Sequence, residues 1–248
     1  MIRTELDEVR EALVSLGVGS GATICLHSRL ATIGRVMCER PVEAIGEVIL
    51  DLLGAAGTVF VPTYTFGERE VFVPRSSSTT ESGVLSEYFR GLPSAVRSLS
   101  PTHSHIGLGA QADQLPINTV RRPFGDPSDF SDFLELDARL VLLGCSFADG
   151  ATFLHHMEAV LGVPYRSWVT LARKVEIGGR TTDVEFEYYA RSDSSVTEDF
   201  DRILPLLRER GVVTEIRLGY ASSFSVALSD LARCAYELLT DDPLALVR

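Results

Sequence analysis

The side chains best suited to moving a proton are His155, His156 and Glu158, within the stretch LHHMEAVLG. Residues three apart share one face of a helix, so His155 and Glu158 can point the same way, while His156 is rotated by roughly a quarter turn. An imidazole takes a proton near neutral pH, and a carboxylate beside it holds the useful tautomer and stabilises the charged form. One ring and one acid brought together make half of an acid–base site. The plain alternative is a pair of satisfied histidines on a half-buried helix.

The elements that must position these groups favour a site. Residues 140–143, LVLL, are a short apolar run of the kind a covered strand shows. Small residues at 144–150 break that run, and Asp149 or Thr152 can cap the helix that follows. Open α/β sheets hold their ligands where a strand meets such a loop and a helix N-terminus. A second junction of this kind lies at 22–26, a strand running into His27, Ser28 and Arg29 before a turn or helix at 30–34. Backbone N–H groups there can cradle an anion and Arg29 can add charge for a phosphate, although Arg29 reads equally well as a solvated surface residue.

Residues 58–65, TVFVPTYT, form a strand whose end carries Pro62 and Tyr64. Residues 66–80 are polar and irregular, a candidate substrate loop or lid. The stretch 96–109 packs Ser98, Ser100, Thr102, His103, Ser104 and His105 into a proline-interrupted loop ahead of a short strand. Such groups can line a ligand site or simply make turns.

Helices are expected at 4–16, 41–53, 82–89, 198–210 and 225–239, with a turn and helix from 124 to 136 and a strand at 212–218. Segments 169–177 and 182–189 alternate around Gly178-Gly179, a hairpin by turn chemistry. The pattern gives an α/β fold with a mostly parallel central sheet flanked by helices and an antiparallel hairpin insertion in the C-terminal half. The 248 residues read as one domain. No signal peptide or membrane-length apolar run is present, so a cytoplasmic protein is expected. The four cysteines lack metal spacing and read as buried reduced thiols, and no metal is expected. A formal charge of −11 disfavours nucleic acid and suits a cationic small-molecule partner.

The order HSRLATIGRV, VPTYTF, RSLSPTHSHIGLG, GDPSDFSDFLELDARLVLLGCSF and TFLHHMEAVLGVPYRSWV resembles the aminoglycoside 3-N-acetyltransferase family. The family's stretches read VHxSLxxLG, PTxT, RSxHPTxS, GxxSPxxxL and TxLHxAE followed by a Pro-Tyr-Arg-like segment. The likeness is close as far as Val169 and looser beyond it. It implies transfer of an acetyl group from acetyl-CoA to an amine on a sugar, with a small-molecule amine acceptor and acetyl-CoA as partners, no membrane, and a homodimer as a compatible assembly. His155 matches the histidine of LHxAE and would be the general base, with Glu158 as its acid. Ser104, or a backbone N–H, would stabilise the oxyanion. Asp199 or Asp201 in EDFDRI would supply the family's further orienting carboxylate, although helix N-termini favour acids in any case. His27, Ser28, Arg29 and Leu30 would hold the coenzyme, and Tyr64, Thr102, His103 and His156 the acceptor. Ser100 departs from the pattern, standing where RSxHP has histidine. The chain also has little of the acidic insertion material that wraps polycationic antibiotics.

Two other readings stand beside this one. A hydrolase or nucleotide-binding protein would call for a GxSxG elbow or a phosphate-binding glycine loop, and neither follows any strand. A catalytically inactive sensor of the same fold would keep the scaffold and lose the chemistry.

Overall fold

The computed structural model describes residues 2–66, 71–74, 76–77 and 82–248. The chain begins with β1 (Arg3–Thr4), α1 (Leu6–Ser15), β2 (Thr23–Ser28), β3 (Arg35–Val36), α2 (Pro41–Leu53) and β4 (Thr58–Pro62). Its middle holds α3 (Val84–Arg90), β5 (Val96–Arg97), β6 (His105–Gly109), α4 (Asp129–Glu135), β7 (Arg139–Leu143), α5 (Phe147–Gly150) and α6 (Phe153–Leu161). It ends with β8 (Arg166–Ile177), β9 (Arg180–Arg191), α7 (Leu204–Glu209), β10 (Val213–Leu218), β11 (Ala221–Ala227) and α8 (Leu228–Asp241).

Seven strands form the main sheet in the order β10-β11-β7-β2-β4-β6-β5. Strand alternation gives each face its own core. Ile24, Leu26, Val59, Val61, Val141 and Leu143 meet α1, α2 and α3 through Leu13, Ile49 and Phe89. Cys25, Phe60, Leu140 and Leu142 meet α4, α6 and α8 through Phe133, Leu154 and Leu231. The result is a three-layer α/β/α arrangement. Since His27 follows Cys25 by two, it faces the α6 side.

The α/β class, the flanking helices and the separate hairpin are as the sequence indicates, but the sheet is mixed rather than mostly parallel. Only β7, β2 and β4 run parallel, and β6 with β5 on one flank and β11 with β10 on the other are antiparallel. The expected helix at 225–239 begins only at Leu228, because 221–227 is a strand pairing Phe224 with Leu142. The helix at 198–210 is a 3-10 turn, Phe200–Ile203, followed by the short α7. The hairpin pairs Ile177 with Arg180 around Gly178 and Gly179, both at positive φ, and forms its own two-stranded sheet rather than inserting into the main one. Three cysteines are buried and Cys38 is exposed, correcting the expectation for that residue. Among the described residues no helix is long and apolar enough to cross a membrane.

The three parallel strands end together, at Ser28, Pro62 and Leu143. Gly144 then turns the chain at φ +69, where a Cβ would sit 2.6 Å from Thr32 Oγ1 and 3.0 Å from the Arg29 carbonyl oxygen. That close approach packs the loop after β7 onto the loop after β2, and both open on one cleft.

Candidate active site

The cleft measures about 400 Å³ and lies at the C-terminal ends of the parallel strands. His27, Ser28 and Arg29 line it from β2, Pro62 and Tyr64 from β4, and Cys145, Asp149 and Thr152 from the turn between β7 and α6. This is the switch-point position where open α/β sheets hold ligands. Leu30, expected here, instead lines a neighbouring cavity with Pro41 and Ile45, because the 3-10 turn at Leu30–Thr32 rotates it away.

Thr152 holds the N-cap position of α6 without a side-chain hydrogen bond, and Asp149, the other expected cap, lies within α5. Ser146 caps α5 by accepting from the Asp149 N–H at 3.2 Å, which frees the Asp149 carboxylate to pair with Arg29 Nη1 at 3.2 Å. Burial, with Asp149 second, raises the Cys145 thiol to about 12, so it stays protonated beside the pair. Burial likewise lowers His27 to about 3, with the charge of His105 adding to it. His27 is therefore a neutral wall residue.

His155 lies one turn after Thr152, just beyond the cleft's lining, with its side chain 20% exposed. Its ring packs 5.4 Å from Phe124 and 4.7 Å, edge on, from Phe200. Nδ1 donates to Glu158 Oε2 at 2.7 Å, as the spacing of three allows. Because a carboxylate only accepts, this bond places a proton on Nδ1 and makes Nε2 the nitrogen that can take or give one toward the site. Glu158 is fully buried and also accepts from the Tyr165 hydroxyl at 2.7 Å. Arg166 Nε lies 2.8 Å from Glu158 Oε2 as an ion pair, although its N–H is not aimed for a hydrogen bond. Arg166 also reaches Glu198 at 2.6 Å. Burial alone would raise the Glu158 carboxyl, but the bond from His155 and the charges of His155 and Arg166 outweigh it and hold it below its ordinary value.

The structure separates the remaining expected residues. His103 is buried among Tyr64, Phe66, Phe124 and Tyr188, with Thr102 Oγ1 3.1 Å from its Nδ1. Burial, then His155 and His105, push it well below the usual imidazole value, so it serves as a neutral aromatic surface between Tyr64 and Phe124. His156 is a correction. It packs on Phe153, meets Ser128 Oγ at 3.3 Å, and burial lowers it to about 4, which makes it a core residue. Ser104 is also corrected. It is fully buried and gives its single proton to the Thr63 carbonyl at 2.8 Å, while Arg97 Nε donates to it at 3.0 Å. No proton is left for an oxyanion.

Asp199 and Asp201 do not touch His155. Asp201 Oδ1 accepts from the Ala148 N–H at 3.2 Å, and Asp199 lies 3.9 Å from Arg248. The acid that joins the network from this segment is Glu198, through Arg166, and Phe200 supplies the ring. The run PYRSW was the one sequence signal for Tyr165 and Arg166. The stretch EDFDRI marked this segment but pointed to its aspartates rather than to Glu198 and Phe200, and nothing local marked Phe124. The candidate loop 66–80 lies partly outside the described residues. Its described part is anchored by Phe72, which packs with Leu99 and Val175 beneath Arg97. Among the described residues no cluster of three or more His, Cys, Asp or Glu could hold a metal.

Ser100, the departure from the motif, is 2% exposed, and its hydroxyl has no hydrogen-bond partner among the described residues. Removing an unsatisfied buried hydroxyl leaves nothing orphaned behind. Ser100→Ala should therefore leave the unfolding free energy unchanged or raise it by about 1 kcal/mol in a denaturant titration. A loss of that size would instead reveal a hydrogen bond made by the hydroxyl.

Comparisons with known proteins converge. The family profile described as aminoglycoside 3-N-acetyltransferase matches residues 25–240. Aminoglycoside N(3)-acetyltransferase VII of Streptomyces paromomycinus is 30% identical over 244 residues, which is 85% of this chain and 83% of that protein. The crystal structure of aminoglycoside acetyltransferase AAC(3)-Xa superposes with a TM-score of 0.85 at 25% identity, covering 96% of this chain and 93% of the other. A histidine-to-alanine mutant of AAC(3)-IVa in complex with a gentamicin gives 0.83 at 25% identity, covering 99% and 92%.

Proposed function

Because the chain belongs to the aminoglycoside 3-N-acetyltransferase family, we propose that it moves an acetyl group from acetyl-CoA to an amine of an aminoglycoside or related amino sugar, with His155 as general base. The observation that carries this reading is the bond from His155 Nδ1 to the buried Glu158, which commits Nδ1 and leaves Nε2 as the nitrogen that can accept a proton. An ammonium acceptor first gives a proton to solvent and becomes nucleophilic. As its nitrogen bonds to the thioester carbonyl carbon, a second N–H proton passes to Nε2. The imidazolium that forms is stabilised by Glu158 and returns the proton to the departing thiol as the C–S bond breaks. With Ser104 committed elsewhere, a backbone N–H remains to stabilise the oxyanion. The intact His155–Glu158 pair favours this reading over an inactive sensor.

The donor fits the strand-end cleft. Its volume suits a pantetheine arm rather than a whole coenzyme, and Arg29 stands half exposed at the mouth, where a phosphate would lie. Asp149 competes with that phosphate for the same guanidinium. Arg29→Ala should raise the acetyl-CoA KM by about tenfold, the loss of one charge-assisted hydrogen bond, without changing kcat. Asp149→Asn should lower the same constant. Unaltered constants in both variants would place the coenzyme phosphates elsewhere. Thiol release from acetyl-CoA, measured with a panel of aminoglycosides and amino-sugar nucleotides, tests the reaction and sorts its acceptors. No release with any of them would contradict it.

A further inference from the structure

A second imidazole–carboxylate pair lies beneath the cleft, and the acyl-transfer chemistry makes no use of it. His105 opens β6 opposite Pro62 of β4, and alternation turns its ring toward α4, where Phe130 and Phe133 pack edge on at 5.0 and 4.9 Å. Its Nδ1 lies 2.9 Å from Asp129 Oδ2, and both side chains are buried. Ser98 Oγ donates to the same oxygen at 2.5 Å and accepts from the His105 N–H at 3.0 Å. Asp129 Oδ1 has no hydrogen-bond partner among the described residues. A tether between β6 and α4 would need only a neutral hydrogen bond, whereas a buried carboxylate with one bare oxygen is far more costly.

The other end of the pair shows a use for that cost. Asp129 can only accept, so it holds a proton on His105 Nδ1 and turns Nε2 toward Tyr64. The Tyr64 hydroxyl lies 3.5 Å from that nitrogen, the two rings meeting edge to face at 5.6 Å. Tyr64 also lines the cleft. With the His105 ring neutral the phenol proton is drawn inward, and the hydroxyl's lone pairs turn to the cleft side, where Thr152 meets one of them and the other stays open. Burial raises the phenol well above its ordinary value, against a weaker opposing bond with Thr152, so the hydroxyl keeps its proton at working pH.

We propose that Ser98, Asp129 and His105 are positioning residues that fix the Tyr64 hydroxyl as a hydrogen-bond acceptor for an N–H group of the bound ligand. The inference rests on reading the strand-end cleft as the active site. The N–H can belong to the acceptor's amine or to a pantetheine amide of the donor, and titration separates the two.

The test is calorimetric titration of sisomicin and of CoA into wild type, Tyr64→Phe, Asp129→Asn and the double variant. One of the two ligands should bind about tenfold more weakly in each single variant, the loss of one hydrogen bond to its N–H. The double variant should lose no more than either single one, because the pair acts through the hydroxyl. A purely structural Asp129 would give losses that multiply. Should Asp129→Asn not fold, His105→Phe combined with Asp129→Leu removes both buried polar groups together and should give the Tyr64→Phe affinity. Unchanged affinity for both ligands, multiplying losses, or no binding of either ligand to wild type would overturn the proposal. Tyr64-dependent binding without thiol release would contradict the acetyl-transfer reading alone. Normal thiol release with unchanged affinities would contradict this one alone.

Discussion

His155→Ala should slow thiol release from acetyl-CoA in the presence of an accepted amine by about a thousandfold, the middle of the range for a positioned general base. The variant should remain folded. Glu158 keeps the Tyr165 hydroxyl and the Arg166 charge, so no carboxylate is left alone in the interior. What disappears is the Nε2 lone pair and the ring's contacts with Phe124 and Phe200. Glu158→Gln should cost less, because the base survives and only its tautomer and charged form lose support. A folded His155→Ala protein releasing thiol at the wild-type rate would move the base to another residue.

The second large effect is on stability. The Arg166 side chain is 5% exposed and bridges Glu158, Glu198 and the Tyr189 carbonyl oxygen. Arg166→Met keeps much of the volume but strands the buried Glu158 charge, which should destabilise the protein by about 3–5 kcal/mol at pH 7. The dependence on pH follows from the direction of the Glu158 shift. In the wild type the folded carboxyl lies below its unfolded value, so it contributes fully above the unfolded value, roughly 4.3, and its contribution fades as pH falls through the folded one. Without Arg166 the opposing influence of burial gains weight and the folded carboxyl rises. The deficit of the variant should then shrink between pH 7 and about pH 4, where the stranded group can be protonated. Denaturant midpoints at the two pH values measure it. A deficit under about 1 kcal/mol, or one that grows in acid, would show that the ion pair does not hold the base's partner in place.

Much of this was readable from local pattern. The apolar run of β7, the i, i+3 spacing of His155 and Glu158, and the Gly178-Gly179 turn each encode their structure within a few residues. β11 was not readable, because ASSFSVA has few large apolar residues and owes its strand form to neighbours on both sides, Leu142 of β7 and Glu215 of β10 facing Phe224. The misassigned site residues fail for a related reason. A hydroxyl such as Ser104 looks available until Arg97 of the same stretch and Thr63, 41 residues away in sequence, claim it. His156 differs from His155 only by one step of helical rotation, which decides between core and site. The Asp129 partner of His105 is 24 residues away in sequence, and Glu198 is 32 from Arg166, separations at which no spacing rule applies.

The proposed chemistry turns on a neutral ring at position 155, oriented by a buried acid, that accepts the proton of an amine being acetylated. Incubating the protein with acetyl-CoA and gentamicin and weighing the product, with the His155→Ala variant in parallel, reads that step itself. An aminoglycoside heavier by one acetyl group should form with the wild type and be all but absent with the variant. Equal amounts of acetylated product from both proteins would rule out the ring as the base.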